Sequence, residues 1–389
     1  MVDMIGMSVP PIKLALLGST GSIGRQTLDV VRANPDLFHV VALAAGHNVR
    51  MLEEQAREFR PQIVAAHEQS DLDVPMGVRI ADPANGLVEC AIWDGVDVVL
   101  VATSGIASIS ATIAAAELGR TIALANKEAL VCGASLLLPA VARGGAELRP
   151  IDSEHSAIWQ CLGTLHRADV CGITLTASGG PFRSFPAASL EHVTVADALN
   201  HPTWAMGNKI SIDSATLVNK GLEAIEAHHL FGISFDDIDI VIHPESIVHS
   251  LVEFKDGSTL AQLSHPDMRL PIQYALTKPE HREREHQHLD LASIGTLTFE
   301  RPDYDRFPAL QLCFEVGRSG VTSSIALCTA DELAVEAFMA GRLRFTDIPG
   351  IIEQTVAQMP DADIKTIVDL ENAVAQAEVS ASALIARYT

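Results

Sequence analysis

The sequence DSATLVNKGLE, which ends at Glu223, carries the richest chemistry of the chain. Asp213 and Ser214 are residue types that cap helices, so the pattern predicts a helix start whose backbone N–H groups bind an anion. On such a helix Asn219 and Glu223 lie four residues apart, and Lys220 and Glu223 three apart, so these side chains share one side. The arrangement indicates a phosphate group and a metal ion held next to each other. The alternative is an ordinary capped helix with a solvated Lys–Glu pair.

A second acidic group, Asp152-Ser-Glu154-His, follows the predicted strand 147–151. Asp152 and Glu154 point to the same face if the strand continues that far. Two neighbouring carboxylates repel each other unless a cation joins them or one is protonated, and oxygen-only ligation suits Mg²⁺ or Mn²⁺. Glu223 is the candidate third ligand. The alternative is a helix start with an acidic first turn.

Two other segments offer polar groups to a substrate. In Asn126-Lys127-Glu128, after an apolar strand, Lys127 is placed to neutralise a substrate oxygen and Glu128 to accept from a ribose or a nicotinamide amide. A Ser-Gly-Gly-Pro turn opens with Ser178. A predicted phosphate cradle of hydroxyls, an amide and one ammonium then consists of Ser178, Ser214, Asn219 and Lys220. The alternatives are an exposed strand end and a simple Gly-Pro turn.

The loop His201-Pro-Thr-Trp204-Ala-Met-Gly207 is polar and aromatic. Trp204 is a candidate lid that excludes water from a hydride-transfer step. His201 is a candidate hydrogen-bond donor or acid–base group. The alternative is that Trp204 packs into a core.

A nucleotide site is predicted where Gly18-Ser-Thr-Gly21-Ser-Ile-Gly24 follows the first strand and opens a helix. Gly18 permits the tight turn, Gly21 lets the backbone approach a pyrophosphate, and Gly24 allows close helix packing. The second strand ends in Gly46-His-Asn-Val-Arg50, without the carboxylate that holds the ribose 2′-hydroxyl of NAD. Its basic and polar side chains suit a 2′-phosphate, so NADP(H) is favoured. The alternative is a glycine-rich turn that binds nothing.

The elements that position these groups fall into three kinds. Apolar strands at 12–17, 39–45, 62–66, 97–101, 121–125 and 147–151 alternate with helical spacing, which predicts a parallel, doubly wound sheet. Farther on the strands look antiparallel, with a hairpin signal, Asp-Gly, between 247–254 and 259–263. Helical patterns at 307–318, 323–340, 346–358 and 364–387 then predict a small bundle.

The expected fold class is therefore α/β, with a Rossmann-like amino-terminal domain, a central α+β catalytic domain and a carboxy-terminal helical bundle. The predicted boundaries are 1–150 for the nucleotide domain, 151–276 for the catalytic metal and substrate domain, 277–305 for a connector and 306–389 for the helical domain. The sheet of the central domain is a candidate subunit interface.

Composition bounds the function. A formal net charge of −22 argues against nucleic-acid and membrane partners, so an anionic substrate needs a local cluster of donors. Six scattered cysteines without a C-x-x-C pair fit a reducing cytoplasm. No secretion signal is expected in the first eleven residues, and no apolar run approaches the length of a membrane span.

Six motifs occur in one order and with compatible spacing: 18–24, 125–128, 152–155, 178–182, 201–207 and 213–223. Together they resemble the 1-deoxy-D-xylulose 5-phosphate reductoisomerase family, over essentially the whole chain. The resemblance implies a homodimeric oxidoreductase and isomerase that uses NADPH and a divalent cation (Mg²⁺, Mn²⁺ or Co²⁺). It implies the conversion of 1-deoxy-D-xylulose 5-phosphate to 2-C-methyl-D-erythritol 4-phosphate in isoprenoid synthesis.

The resemblance also implies roles for individual residues. The metal ligands are Asp152, Glu154 and Glu223, with Glu223 also contacting substrate. The phosphate side consists of Ser178, Ser214, Asn219 and Lys220. The substrate backbone meets Lys127, Ser153, Glu154 and His201, of which Lys127, Glu154 and His201 are the catalytic candidates. The nucleotide is lined by Thr20, Gly21, Ser22, Ile23, Gly46, His47, Asn48, Asn126, Glu128 and Gly207.

Two other functions stay open at this point. The first is a metal-assisted, NADP-dependent sugar-phosphate dehydrogenase that causes no rearrangement, which the carbon connectivity of the product distinguishes. The second is a Rossmann-fold protein that senses NADPH without chemistry, which leaves the three carboxylates unexplained.

Overall fold

The structure is a computed structural model that describes residues 10–67, 72–163, 167–204, 206–283 and 288–388. Most of the amino-terminal stretch considered for a secretion signal, residue 205 of the candidate lid, and residues 284–287 of the predicted connector lie outside the described residues.

The described residues form eleven strands: β1 (Ile12–Leu17), β2 (Phe38–Ala45), β3 (Ile63–Ala66), β4 (Arg79–Ile80), β5 (Val98–Val101), β6 (Thr121–Leu124), β7 (Leu148–Pro150), β8 (Val170–Ala177), β9 (Ile238–Ile242), β10 (Val248–Phe254) and β11 (Thr259–Leu263). Their helices are α1 (Ser22–Ala33), α2 (Val49–Phe59), α3 (Gly86–Ile92), α4 (Ile109–Glu117), α5 (Glu128–Val131), α6 (Ala134–Gly144), α7 (Ser153–Leu162), α8 (Val195–Leu199), α9 (Asn208–Thr216), α10 (Val218–Phe231), α11 (Arg269–Thr277), α12 (Leu291–Ile294), α13 (Ala309–Ser319), α14 (Val321–Met339), α15 (Ile348–Gln358) and α16 (Ile367–Ile385).

The chain divides into two compact units. The first contains the described residues of 1–129, 137–156 and 267–286, and the second those of 130–136, 157–266 and 287–389. The four-part division expected from the sequence stays a prediction.

The first unit is built on a seven-stranded sheet in the order β4-β3-β2-β1-β5-β6-β7. Every pairing in it is parallel. The strands β3 and β5 are buried along their whole length, because helices cover both faces of a parallel sheet and select continuous apolar runs. The predicted doubly wound sheet is confirmed, and its predicted strands agree with the observed bounds to within one residue. The two-residue strand β4 was not predicted.

The second unit has a four-stranded sheet in the order β11-β10-β8-β9. The predicted hairpin is confirmed as β10 and β11, joined by a turn in which Gly257 has φ +85°. The expectation of a wholly antiparallel sheet is wrong, because β8 and β9 run parallel. The intervening α9 and α10 form the crossover that a parallel pair requires.

The four helices predicted at the carboxy-terminal end are confirmed as α13 to α16. Apolar residues of α14, α15 and α16 pack into a common core, with Ile325, Ile352 and Leu384 almost fully buried. Within the residues described, no helix combines the length and apolar character that a membrane span needs.

Candidate active site

The turn between β1 and α1 has the glycine geometry that a pyrophosphate site requires. Gly18 has φ +92°, and a Cβ there would collide with the carbonyl of Ala102. A Cβ at Gly24 would collide with the carbonyl oxygen of Gly18, so α1 can pack this closely against the turn only with glycine at position 24. Gly21 is exposed at the N-terminus of α1, where no side chain caps the helix. This open helix start suits a phosphate group.

The carboxyl end of β2 gathers polar side chains and no carboxylate. Gly46, His47 and Asn48 are exposed, and Asn48 Oδ1 accepts from the Met51 N–H at 3.2 Å, which caps α2. The His47 ring lies edge-on to the ring of His67, with 5.3 Å between centroids. Sequence reasoning missed His67, although it directly follows β3 and neighbouring parallel strands end at the same sheet edge.

The hydrogen-bonding groups of the Asn126 side chain are occupied by partners within the first unit. Its Nδ2 donates to the carbonyls of Thr103 and Gly105 at 3.0 and 2.9 Å and to Glu128 Oε2 at 3.0 Å. Its Oδ1 accepts from the Ala129 N–H at 2.7 Å. These bonds fix the end of β6 against the loop after β5. A direct contact of Asn126 or Glu128 with the nucleotide stays a prediction.

The acidic group after β7 begins a helix rather than extending the strand. β7 ends at Pro150 and α7 starts at Ser153, so the shared strand face expected for Asp152 and Glu154 does not form. Instead the Glu154 N–H donates to Asp152 Oδ1 at 3.3 Å, and Ser153 Oγ donates to Glu154 Oε2 at 2.5 Å. The carboxylates are still neighbours, because the turn folds them together.

Lys127 is the counter-charge of this acidic group. Its ammonium contacts the Asp152 carboxylate, and their side chains are only 11% and 12% exposed. His155 Nδ1 lies 3.6 Å from Asp152 Oδ1 and its side chain is fully buried. A buried carboxylate requires such partners, because its desolvation is otherwise too costly.

In the second unit, the predicted helix start at Asp213 or Ser214 is wrong. Both residues belong to the last turns of α9, and a new helix, α10, starts at Val218. Leu217 separates the two with φ +63° and ψ +10°, a left-handed conformation that a leucine rarely adopts. The break places the first turn of α10 four residues after Ser214, and the Val218 N–H of that turn donates to Thr216 Oγ1 at 3.3 Å.

Side chains of the first two turns of α10 meet as the spacing predicted. Glu223 accepts from Asn219 Nδ2 at 2.6 Å and from Lys220 Nζ at 2.5 Å. Lys220 and Glu223 are 3% and 1% exposed, so the alternative of a solvated pair is wrong. Between residues 211 and 220, only Ser214 and Asn219 are more than marginally accessible.

The Ser178 turn reaches the same place. Gly180 has φ +66°, and a Cβ there would come within 2.8 Å of the Ser214 carbonyl oxygen, so the turn packs directly against α9. Ser178 Oγ lies 2.9 Å from His201 Nε2 and accepts from the Gly180 N–H at 3.2 Å. The structure therefore brings together Ser178, His201 and Ser214 from three separate motifs.

The contacts of His201 fix its tautomer. Its Nδ1 accepts from the backbone N–H groups of Thr203 and Trp204 at 3.1 and 2.9 Å, so this nitrogen carries no proton. The proton of the neutral ring then lies on Nε2 and is donated to Ser178 Oγ. Burial lowers the pKa of His201, which favours this neutral form. With two donors already directed at it, Ser178 Oγ is left to donate its own proton to a ligand.

Trp204 lies on the surface loop and is half-buried. Its ring is 6.3 Å from that of His249, whose Nε2 is 2.9 Å from Ser264 Oγ. Thr203 Oγ1 donates to the Pro244 carbonyl at 3.3 Å. The loop therefore rests on the start of β10 and does not enter a core, while closure over substrate stays a prediction.

Three family models match the chain along most of its length. The model described as 1-deoxy-D-xylulose 5-phosphate reductoisomerase matches residues 14–134, that described as the reductoisomerase C-terminal domain matches residues 148–231, and that described as the DXP reductoisomerase C-terminal domain matches residues 263–379.

Named relatives and solved structures agree with these models. The 1-deoxy-D-xylulose 5-phosphate reductoisomerase of Thermomicrobium roseum is 55% identical over 88% of this chain and 89% of its own length, and that of Synechocystis is 49% identical over 88% and 89%. The structure of the Zymomonas mobilis reductoisomerase in complex with NADPH has a TM-score of 0.90 at 41% identity, covering 97% of this chain and 99% of its own. A reductoisomerase structure in complex with NADPH, fosmidomycin and magnesium has a TM-score of 0.89 at 40% identity, covering 97% and 98%. The chain belongs to the 1-deoxy-D-xylulose 5-phosphate reductoisomerase family.

Proposed function

We propose that this protein is an NADPH- and divalent-metal-dependent enzyme that converts 1-deoxy-D-xylulose 5-phosphate to 2-C-methyl-D-erythritol 4-phosphate. The observation that carries the proposal is 55% identity to a named reductoisomerase across 88% of the chain. A solved relative holds NADPH, magnesium and fosmidomycin together, which supports the same ligand classes here. The reaction is a rearrangement of the carbon skeleton followed by reduction of an aldehyde.

The nucleotide site fits NADPH. The glycine turn leaves an open helix N-terminus for the pyrophosphate, and a Cβ at Gly46 would meet nothing within 4 Å. We assign nucleotide contacts to Thr20, Gly21, Ser22, Ile23, Gly46, His47, Asn48, Asn126, Glu128 and Gly207. His67, beside His47, adds a second imidazole where a 2′-phosphate binds in an NADP site.

The donor set fits a hard divalent cation. We assign Asp152, Glu154 and Glu223 as its ligands, because carboxylate oxygens suit Mg²⁺, Mn²⁺ or Co²⁺. Asp152 and Glu223 each contact a lysine, which shows that their surroundings already hold a positive charge against the carboxylate. When bound, the cation supplies Lewis acidity to substrate oxygens and NADPH supplies the hydride.

The phosphate group is held in the second unit. Ser214 and Asn219 are the accessible positions of their segment, Lys220 supplies charge, and Ser178 offers a hydroxyl proton directed by His201. A fixed phosphate lets binding energy orient the reacting carbons.

Three residues act on the reacting part of the substrate. Lys127, already 91% buried, donates to a substrate oxygen as negative charge develops on it. Glu154 accepts a proton from a substrate hydroxyl, with Ser153 donating to its carboxylate. His201 is neutral and holds its proton on Nε2, so it acts as a donor rather than as a base.

We also propose a cytoplasmic homodimer. All six cysteines are free thiols, as in a reducing compartment. β11 lies at the edge of the sheet of the second unit with Leu260 exposed, and an edge strand offers unpaired backbone groups to another chain. Light scattering should give twice the mass of the 389-residue chain, and a monomer at micromolar concentration would reject the dimer.

The decisive experiment is an NADPH oxidation assay with 1-deoxy-D-xylulose 5-phosphate and Mg²⁺, followed by NMR of the product. We expect metal-dependent turnover and a branched carbon skeleton. An unbranched product would support the dehydrogenase instead, and no turnover would support the NADPH sensor. Full activity in excess chelator would reject the metal requirement.

Glu223→Gln tests the metal ligand. The loss of a carboxylate should weaken Mn²⁺ binding by at least about tenfold, measured by titration calorimetry or electron paramagnetic resonance, and lower kcat. Glu253→Gln is the matched control, because Glu253 is a carboxylate of the same unit that accepts from Thr174 Oγ1 at 3.0 Å and has no assigned role in the site. Equal Mn²⁺ affinity in wild type and Glu223→Gln would remove Glu223 from the ligand set.

The tautomer of His201 predicts a pH dependence. Protonation at Nδ1 would direct an N–H at two backbone N–H donors and break both hydrogen bonds. These loop contacts should therefore be complete above the ordinary histidine pKa of about 6.5. They should be lost as pH falls through the lowered pKa that His201 has in the folded protein. We expect KM for substrate to rise as pH falls below the ordinary histidine pKa, while the Kd of NADPH stays constant.

His201→Asn is needed for comparison, because the substrate phosphate also titrates near pH 6. The variant should have a raised KM at pH 7.5 and a shallower acid limb than wild type. An identical acid limb in both proteins would assign the effect to the substrate alone.

A further inference from the structure

Three charged side chains, of which the two aspartates are buried, meet next to the phosphate side. Lys209 Nζ is 2.6 Å from Asp213 Oδ2 on the same helix, α9, and 2.5 Å from Asp331 Oδ2 on α14. The side chains of Asp213 and Asp331 are 4% and 0% exposed. None of the assigned site roles includes Lys209 or Asp331.

The location of Lys209 argues that it serves this cluster and not its own helix. A cation in the first turn of a helix opposes the helix dipole, and α9 begins at Asn208. The gain must therefore come from the two aspartates. Sequence reasoning missed the pair, although Lys209 and Asp213 have i,i+4 spacing.

The charges of the cluster do not balance. Two carboxylates and one ammonium leave a net negative charge in the interior, which is costly. Burial and the neighbouring Asp331 raise the pKa of Asp213 well above its usual range. Neither Asp213 Oδ1 nor Asp331 Oδ1 has a hydrogen-bond partner among the described residues. The raised pKa of Asp213 reduces that net charge, because it favours the protonated acid.

The cluster acts at a place where the backbone needs support. α9 ends at Leu217, whose left-handed conformation costs about 1–2 kcal/mol, so local preference does not maintain the angle between α9 and α10. Ser214 lies on the α9 side of this break and Asn219 and Lys220 lie on the α10 side. Any rotation of α9 about the break would move the Ser214 hydroxyl relative to the other two donors.

We propose that Lys209, Asp213 and Asp331 form a positioning cluster that ties α9 to α14 and thereby holds Ser214 in register with Asn219 and Lys220 for the substrate phosphate. The inference rests on the phosphate role proposed for these residues. It gives the carboxy-terminal helices a function in substrate binding, through α14, without any contact between α14 and the substrate.

A double-mutant cycle between Asp331→Asn and Ser214→Ala tests the link. Asp331→Asn alone should raise KM for 1-deoxy-D-xylulose 5-phosphate by about tenfold and weaken inorganic phosphate as a competitive inhibitor by a similar factor. In the Ser214→Ala background the same substitution should change either constant by less than about twofold. The Kd of NADPH should not change in any variant.

Asp347→Asn is the matched control, since Asp347 is a buried aspartate of the same unit that pairs with Arg344 at 2.8 Å. It removes an ion pair between a buried aspartate and an exposed arginine elsewhere in the unit, and it should leave KM and phosphate inhibition unchanged. If Asp331→Asn does not fold, Lys209→Gln repeats the cycle, because its side chain is 29% exposed and tolerates a polar amide.

Two outcomes would overturn the proposal: effects of Asp331→Asn and Ser214→Ala that multiply independently, or an unchanged KM and phosphate inhibition in Asp331→Asn. The Kd of inorganic phosphate should also be measured directly by calorimetry, for the wild type, the two single variants and the double variant. This measurement tests the positioning cluster without depending on the proposed reaction. A wild type that binds phosphate but does not convert the sugar phosphate would reject the reaction and leave the positioning cluster testable.

Discussion

The pairing of buried carboxylates with lysines is the interaction on which the rest of the structure depends. A chain with a net charge of −22 repels anions, and each buried acid is costly unless a cation accompanies it. Three acidic groups of low exposure each contact one lysine: Lys127 with Asp152, Lys220 with Glu223, and Lys209 with Asp213 and Asp331.

Much of the fold was readable because its signals are local. Parallel strands buried on both faces must be continuous apolar runs, so each one stands out between helical patterns. Gly24 is required by contacts with Gly18 and Ser19 in its own turn, and the i,i+3 and i,i+4 contacts of Glu223 follow from helix geometry alone. These features depend on neighbours within a few residues, which a sequence displays directly.

The features that were not readable depend on distant parts of the chain. The sequence at Leu217 does not predict a left-handed conformation, since glycine or asparagine usually occupies such a position. The parallel pairing of β8 with β9 is decided by the path of the crossover helices. The carbonyls that accept hydrogen bonds from the Asn126 amide lie more than 20 residues earlier in the chain. Sequence motifs identify the site residues, but long-range packing determines their bonds.

The left-handed conformation of Leu217 affects whether the motif DSATLVNKGLE can be transferred to another protein. Leu217 is 3% exposed, so its side chain is held by the surrounding core while its backbone is in an unfavourable state. The corner between α9 and α10 is therefore a property of the folded unit and not of the eleven residues that form the motif. A graft of DSATLVNKGLE into another scaffold would carry every donor group but would relax towards one continuous helix. Because successive residues of a helix are rotated by about 100° around its axis, the side chains of Ser214 and Lys220 would then point in different directions and no longer converge.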